Sequence, residues 1–254
     1  MAKIVSIHSF RGGTGKSNVT ANVAVLTARA GHRVGIIDTD IQSPGIHVLF
    51  GLDEAKVRHC LNDYLWGHCK IEETAYDVTD VARQGPPADV PGLFLVPSSL
   101  KPGEIAKVLR DGYDLGLLND GLQALIDKLK LEYLFIDTHP GVNEETLLSI
   151  GLSDVLLLLL RPDNQDYQGT AVTVELARRL AVRDMYLVFN KVPPGMDSNA
   201  LMEEAKAAYR TPVLAVLPLN FEIVHLASGG IFCLRHPDHP LAHGLATIAR
   251  HVMK

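Results

Sequence analysis

Six aliphatic residues in a row, Val155-Leu156-Leu157-Leu158-Leu159-Leu160, constrain the fold of this chain more than any other stretch. The run lacks the polar alternation of a strand with one wet face, so a strand built from it must be covered on both faces. It is far too short to cross a bilayer, which takes about 20 residues. Strands buried on both faces belong to parallel sheets, whose crossovers are usually helices. The chain supplies them. Strand-like runs at Ile4–Ser9, Val34–Asp38, Leu93–Pro97, Tyr133–Thr138, Tyr186–Asn190 and Val213–Leu217 alternate with helical stretches at Ser17–Ala30, Ile105–Leu109, Leu117–Lys130, Tyr167–Ala181 and Ser198–Tyr209. Gly31 fits the stop of the first helix. The expected architecture is α/β and doubly wound, a mostly parallel sheet with helices on both faces.

At 254 residues the chain is long enough for one such domain with a sizeable core. The one loop-rich stretch, Arg83–Gly92, reads as a turn or connection and not a boundary, so a single domain over residues 1–254 is expected. A net charge of −5 argues against a generally basic nucleic-acid binder. Three cysteines cannot all pair, and no secretory apolar segment follows Met1, which points to a reducing cytoplasm.

The chemistry is concentrated in Ser9–Ser17, "SFRGGTGKS". It follows a strand and opens a helix, the context of a phosphate cradle, although Phe10 stands where G-x-x-x-x-G-K-[ST] has its first glycine. Gly12, Gly13 and Gly15 leave no Cβ between successive backbone N–H groups and an anion, and the helix start adds its partial positive charge. Lys16 is placed to reach β- and γ-phosphates, and the Ser17 hydroxyl to sit on Mg²⁺. A dinucleotide site is the alternative suggested by Asp38 at the end of the second strand. It fails because Gly13-x-Gly15-x-x ends at Asn18, without the third glycine, and Lys16-Ser17 has no part in it.

"RGGTGKS" resembles the deviant Walker A motif, x-K-G-G-x-G-K-[ST], of the ParA/MinD family of P-loop ATPases. In that family the position of Phe10 is variable, while the signature lysine is here Arg11. The resemblance runs along nearly the whole chain and implies a SIMIBI-type P-loop NTPase fold. It makes Gly12, Gly13, Thr14, Gly15, Lys16, Ser17 and Asn18 the nucleotide-binding loop. "IIDTDIQSPG" (Ile36–Gly45) is similar to switch I, which implies that Asp38 helps to organise Mg²⁺ and Asp40 positions the attacking water. "YLFIDTHPG" (Tyr133–Gly141) is similar to Walker B and switch II, with Asp137 on the magnesium's water shell and the Gly141 N–H sensing the γ-phosphate. Asn190-Lys191 matches the adenine-contacting position, and Pro218 in "VLPLN" the other side of the base. A guanine pocket of the N-K-x-D type needs an Asp that Asn190-Lys191-Val192-Pro193 lacks, so ATP is favoured over GTP. The family further implies a homodimer formed on ATP binding, Arg11 acting across it, and an adaptor protein that activates hydrolysis and links it to a cargo.

Three weaker signals have plainer readings. His59-Cys60 and His68-Cys69 lack a standard metal spacing, and "CLNDYLWGHC" reads as an amphipathic helix ending at Gly67 with buried structural cysteines. No C-x-x-C pair is present, against the cluster-carrying relatives of the family. Arg178, Arg179 and Arg183 allow nonspecific DNA contact but equally complement a helix C-terminus. The closing stretch "PLAHGLATIARHVMK" sets Leu241, Leu245, Ile248 and Val252 on one helical face without a lysine-rich polar face, so membrane anchoring is not expected.

Overall fold

The structure is a computed structural model that describes residues 2–53 and 55–254. In chain order its elements are β1 (Lys3–His8), α1 (Lys16–Arg29), β2 (Arg33–Asp38), α2 (Ile46–Leu49), α3 (Leu61–Leu65), a 3₁₀ turn (Ile71–Thr74), β3 (Tyr76–Asp77), α4 (Thr79–Ala82), β4 (Gly92–Val96), α5 (Pro102–Asp111) and α6 (Leu115–Leu129). There follow β5 (Tyr133–Asp137), α7 (Glu144–Gly151), β6 (Val155–Leu160), α8 (Asn164–Arg179), β7 (Asp184–Val192), α9 (Ser198–Tyr209), β8 (Val213–Pro218), α10 (Glu222–His225), α11 (Phe232–Arg235) and α12 (Pro240–Val252). The strands form one sheet in the order β3-β4-β2-β5-β1-β6-β7-β8. Every pairing is parallel except β3 with β4.

The β6 run behaves as its composition requires. Val155, Leu157 and Leu159 pack into the core under α1 and α12, while Leu156, Leu158 and Leu160 pack on the opposite face with Val174, Ala177 and Leu201 of α8 and α9. A third cluster joins Ile37, Leu134 and Ile136 to Leu118, Leu122 and Leu125 of α6. All seven anticipated strands are present. The unanticipated one, β3, is only two residues long and adds a short antiparallel edge.

Local signals set the helix ends. Gly31, at φ 96°, takes the left-handed turn that stops α1, and Asp114, Asp163 and Asp197 accept backbone N–H groups at the starts of α6, α8 and α9. The α12 stripe Leu241, Leu245, Ile248 and Val252 is buried against α1 and β8. Among the described residues no helix is long and apolar enough to cross a membrane.

Candidate nucleotide site

β1 lies between β5 and β6, and the connection after β1 runs to β2 on one side of the sheet while the connection after β6 runs to β7 on the other. The crevice at such a switch point, beyond the strands' carboxyl ends, is where doubly wound sheets hold ligands. The strand ends bring the anticipated residues to that edge: the loop before Lys16 from β1, Asp38 from β2, Asp137 from β5, Asn190-Lys191 from β7 and Pro218 from β8.

The loop owes its shape to glycine. Gly13 and Gly15 sit at φ 74° and 96°, where a side chain is strained. A Cβ on Gly15 would lie 2.6 Å from Asn190 Nδ2, because that amide donates to the Thr14 carbonyl at 2.7 Å. Lys191 Nζ donates to the Gly13 carbonyl at 2.6 Å from a left-handed backbone at φ 57°, beside a register irregularity in β7. Asn190 and Lys191 therefore grip the loop from behind as well as lining the neighbouring cavity, a role the sequence did not reveal. That cavity, of about 260 Å³, is lined by Gly15, Asn18, Asn190, Lys191, Pro218 and Leu245 among others. It is mostly apolar and ends at the loop, as a purine pocket attached to a phosphate cradle must.

Lys16 is buried, its Nζ 3.3 Å from Ser9 Oγ, and burial lowers its pKa against the opposing pull of Asp137, Asp40 and Asp38. Thr14 Oγ1 donates to the same Ser9 hydroxyl at 2.8 Å. Phe10 is explained by the opposite wall: Gly169 of α8 has no Cβ, and one built there would fall 2.1 Å from the Phe10 ring. The aromatic ring packs where only a glycine leaves room.

The sheet register sets Asp38 directly beside Asp137, and both carboxyls are buried. Asp38 accepts from the backbone N–H groups of Asp40 (3.0 Å) and Gly45 (3.3 Å), which folds the switch I segment around it. Thr20 Oγ1 lies 3.1 Å from Asp137 Oδ1, and the nearby Ser17 side chain favours the ionised form of Asp137. Desolvation, with the neighbouring carboxylates, raises the Asp38 pKa well above its usual range. Desolvation raises that of Asp137 to about 6 against the lowering effect of Ser17, Lys16 and Thr20. Two buried carboxyls and a serine hydroxyl facing the cradle are hard oxygen donors that fit Mg²⁺, which binds through one or two carboxylates plus phosphates and keeps several waters. Among the described residues no group of three or more His, Cys, Asp and Glu side chains is arranged to hold a metal by itself, in keeping with that sparse donor set. Cys60 is buried at the start of α3 and Cys69 is half-buried.

Arg11 is 39% exposed and its Nη1 lies 3.7 Å from Asp163 and 3.6 Å from Asp166. Asp166 is itself clamped by Arg161 Nε and Nη2, both at 3.0 Å. These acids at the start of α8 were not anticipated, because nothing in their local sequence ties them to the loop. The Gly141 N–H donates to the Ser9 carbonyl at 3.2 Å here, so in this state it is committed to the loop strand. Of the basic residues on α8, Arg178 donates to the carbonyls of Tyr209 and Arg210 at the end of α9, and Arg179 pairs with Glu175. Both lie in the last turn of α8, where cations complement the helix C-terminus.

Comparison with known proteins agrees with the geometry. Residues 5–231 match the family described as the CobQ/CobB/MinD/ParA nucleotide binding domain. An uncharacterized ATP-binding protein of Methanocaldococcus jannaschii is 28% identical, over 98% of this chain and 87% of its own length. A cytosolic Fe-S cluster assembly factor of Chaetomium globosum is 31% identical over 72% of this chain and 54% of its own length. The solved septum site-determining protein MinD of Pyrococcus horikoshii, complexed with Mg-ADP, superimposes with a TM-score of 0.79 at 24% identity, covering 100% of this chain and 97% of that one. The P-loop NTPase fold is shared, and the chain belongs to the family of the CobQ/CobB/MinD/ParA nucleotide binding domain.

Proposed function

We propose that this chain is one ATPase domain acting as an ATP-dependent dimerisation switch. It binds Mg-ATP, pairs with a second copy, and resets by slow hydrolysis in the cytoplasm. The observation that carries the reading is the convergence of Lys16, Ser17, Asp38 and Asp137 on one glycine cradle at the strand ends. Each side chain has a task there. The loop N–H groups and Lys16 hold the phosphates, and Ser17, Asp38 and Asp137 hold the ion and its waters. When bound, Mg²⁺ would supply positive charge to offset the charge that develops on the phosphates. Asp40 orients the attacking water, and the apolar cavity takes the adenine. Arg11 leaves Asp163 and Asp166 to reach the partner's phosphates, where a guanidinium offers two parallel donors.

The output we infer is spatial positioning of a large cargo, such as a chromosome, plasmid or division site, through an adaptor protein. The similarity to a septum site-determining protein supports it. A second reading, a nucleotide-binding regulator that does not hydrolyse ATP, is favoured by the engagement of Arg11 with its own chain's acids. Steady-state hydrolysis separates the two. Asp40→Ala is expected to lower turnover roughly tenfold or more, equivalent to about 1.4 kcal/mol of barrier, with ATP binding retained. A parent protein that binds Mg-ATP without turnover, with or without added partner or DNA, supports the second reading.

A further inference from the structure

Asp40 is held by an unexpected neighbour. His139, in the segment after β5, places Nδ1 2.6 Å from Asp40 Oδ1. The same oxygen accepts from the Ser43 backbone N–H at 3.1 Å and from Ser43 Oγ at 3.0 Å. Three donors thus converge on Oδ1, while among the described residues none is found on Oδ2. An ionised carboxylate only accepts, so the imidazole nitrogen facing it carries the proton. Both side chains are largely buried, at 18% and 13% exposure, which shields the bond from water.

His139 is itself firmly seated. Thr138, before it, donates its hydroxyl to the Ile7 carbonyl of β1 at 3.0 Å and receives His8 Nδ1 at 2.8 Å. Gly141, after it, donates its N–H to the Ser9 carbonyl. The residues flanking His139 are therefore fastened to β1 and to the root of the phosphate loop, while its ring crosses to switch I. The backbone on either side of Asp40 is held by Thr39, which donates to the Asp137 carbonyl, and by buried Ile41, but among the described residues the Asp40 side chain itself finds donors in Ser43 and His139 alone.

We propose that His139 is a positioning residue for Asp40. With Ser43 it occupies Oδ1 and ties the switch I carboxylate to the segment anchored on the loop strand, leaving Oδ2 as the oxygen without a protein donor among the described residues. This deepens the ATPase reading above and rests on it for the identity of the reaction. The imidazole gives up its Nδ1 proton-bearing edge to Asp40 and is not itself the group that touches water.

The test uses His139→Ala, which removes the donor, and His139→Asn, whose side-chain amide N–H falls near the position of Nδ1. In the nucleotide-free protein, ¹⁵N NMR of the His139 ring is expected to show the proton on Nδ1. Backbone hydrogen exchange over residues 39–45 is expected to quicken in the Ala variant and to stay at the parental rate in the Asn variant. With Mg-ATP, kcat is expected to fall roughly tenfold or more in the Ala variant, the order seen when a reacting group is slightly misplaced, and to recover to within about threefold in the Asn variant, with ATP Kd unchanged in both. Parental exchange and turnover in the Ala variant overturn the proposal. So does an Asn variant as impaired as the Ala variant, which would make the imidazole itself the active group. If the parent shows no turnover at all, the ATPase reading falls, and the exchange and NMR arms still decide whether His139 holds Asp40.

Discussion

Asp137→Asn should make the nucleotide-free protein more stable at alkaline pH while ruining its magnesium site. Asp137 lies fully buried beside Asp38, and desolvation lifts its pKa from the ordinary 3.8 to about 6. Because folding raises this pKa, the folded chain binds the proton more tightly than the unfolded chain. The group's favourable contribution is therefore complete below 3.8 and is lost as pH climbs through about 6. At 1.36 kcal/mol per unit, a rise of about two units means that ionised Asp137 costs about 3 kcal/mol at pH 8. For a chain of this size each kcal/mol moves Tm by about 2–4 °C, so the full effect is roughly 6–12 °C. Asparagine keeps an acceptor for Thr20 and removes the charge, with an NH₂ donor in place of the second carboxylate oxygen. Melting the two proteins side by side from pH 4 to 8, without nucleotide or metal, reads the titration of the Asp137–Asp38 pair, since the Asp137 charge also raises the Asp38 pKa. The variant's advantage in Tm should be several degrees at pH 8 and shrink to nothing near pH 4. Mg-ADP should stabilise the parent and not the variant. A difference that is flat with pH, or a variant that melts below the parent at pH 8, refutes the reasoning.

Two further outcomes test the loop and the base pocket. Gly15→Ala places a side chain at φ 96°, at about 1–2 kcal/mol, and pushes Asn190 off the Thr14 carbonyl, at about 1 kcal/mol more. Calorimetry should show a lower Tm, and titration a weakened ATP affinity, whereas a parental Tm would mean that the left-handed turn is not required. Competition titrations in Mg²⁺ should rank ATP above GTP, since Val192-Pro193 leave no carboxylate where a guanine pocket needs one; equal affinities would remove that argument.

The strands were legible because burial on both faces leaves a compositional trace, and the acids Asp38 and Asp137 because they end such strands. β3 was not, since two residues carry no pattern. The signal for helix α7 is confined to its start, where Asn143 is an N-cap followed by the acids Glu144 and Glu145 in the first turn. What sequence withheld was partnership. The position of Arg11 was plain, but not that Asp163 and Asp166 hold it. Asn190-Lys191 was read as a base contact, while its amide and ammonium were found gripping the Thr14 and Gly13 carbonyls. His139 carried no signal of its link to Asp40, because their contact exists only once β2 and β5 lie side by side.

The central claim is that ATP joins two copies through Arg11. Light scattering coupled to size exclusion, run on Asp40→Ala with ATP or ADP and repeated with Arg11→Ala added, tests it most directly. The account predicts a dimer with ATP and a monomer with ADP, and a monomer under both conditions once Arg11 is removed, with the monomer's ATP affinity little changed. A protein that stays monomeric with ATP bound, or one that dimerises equally well without Arg11, would contradict it.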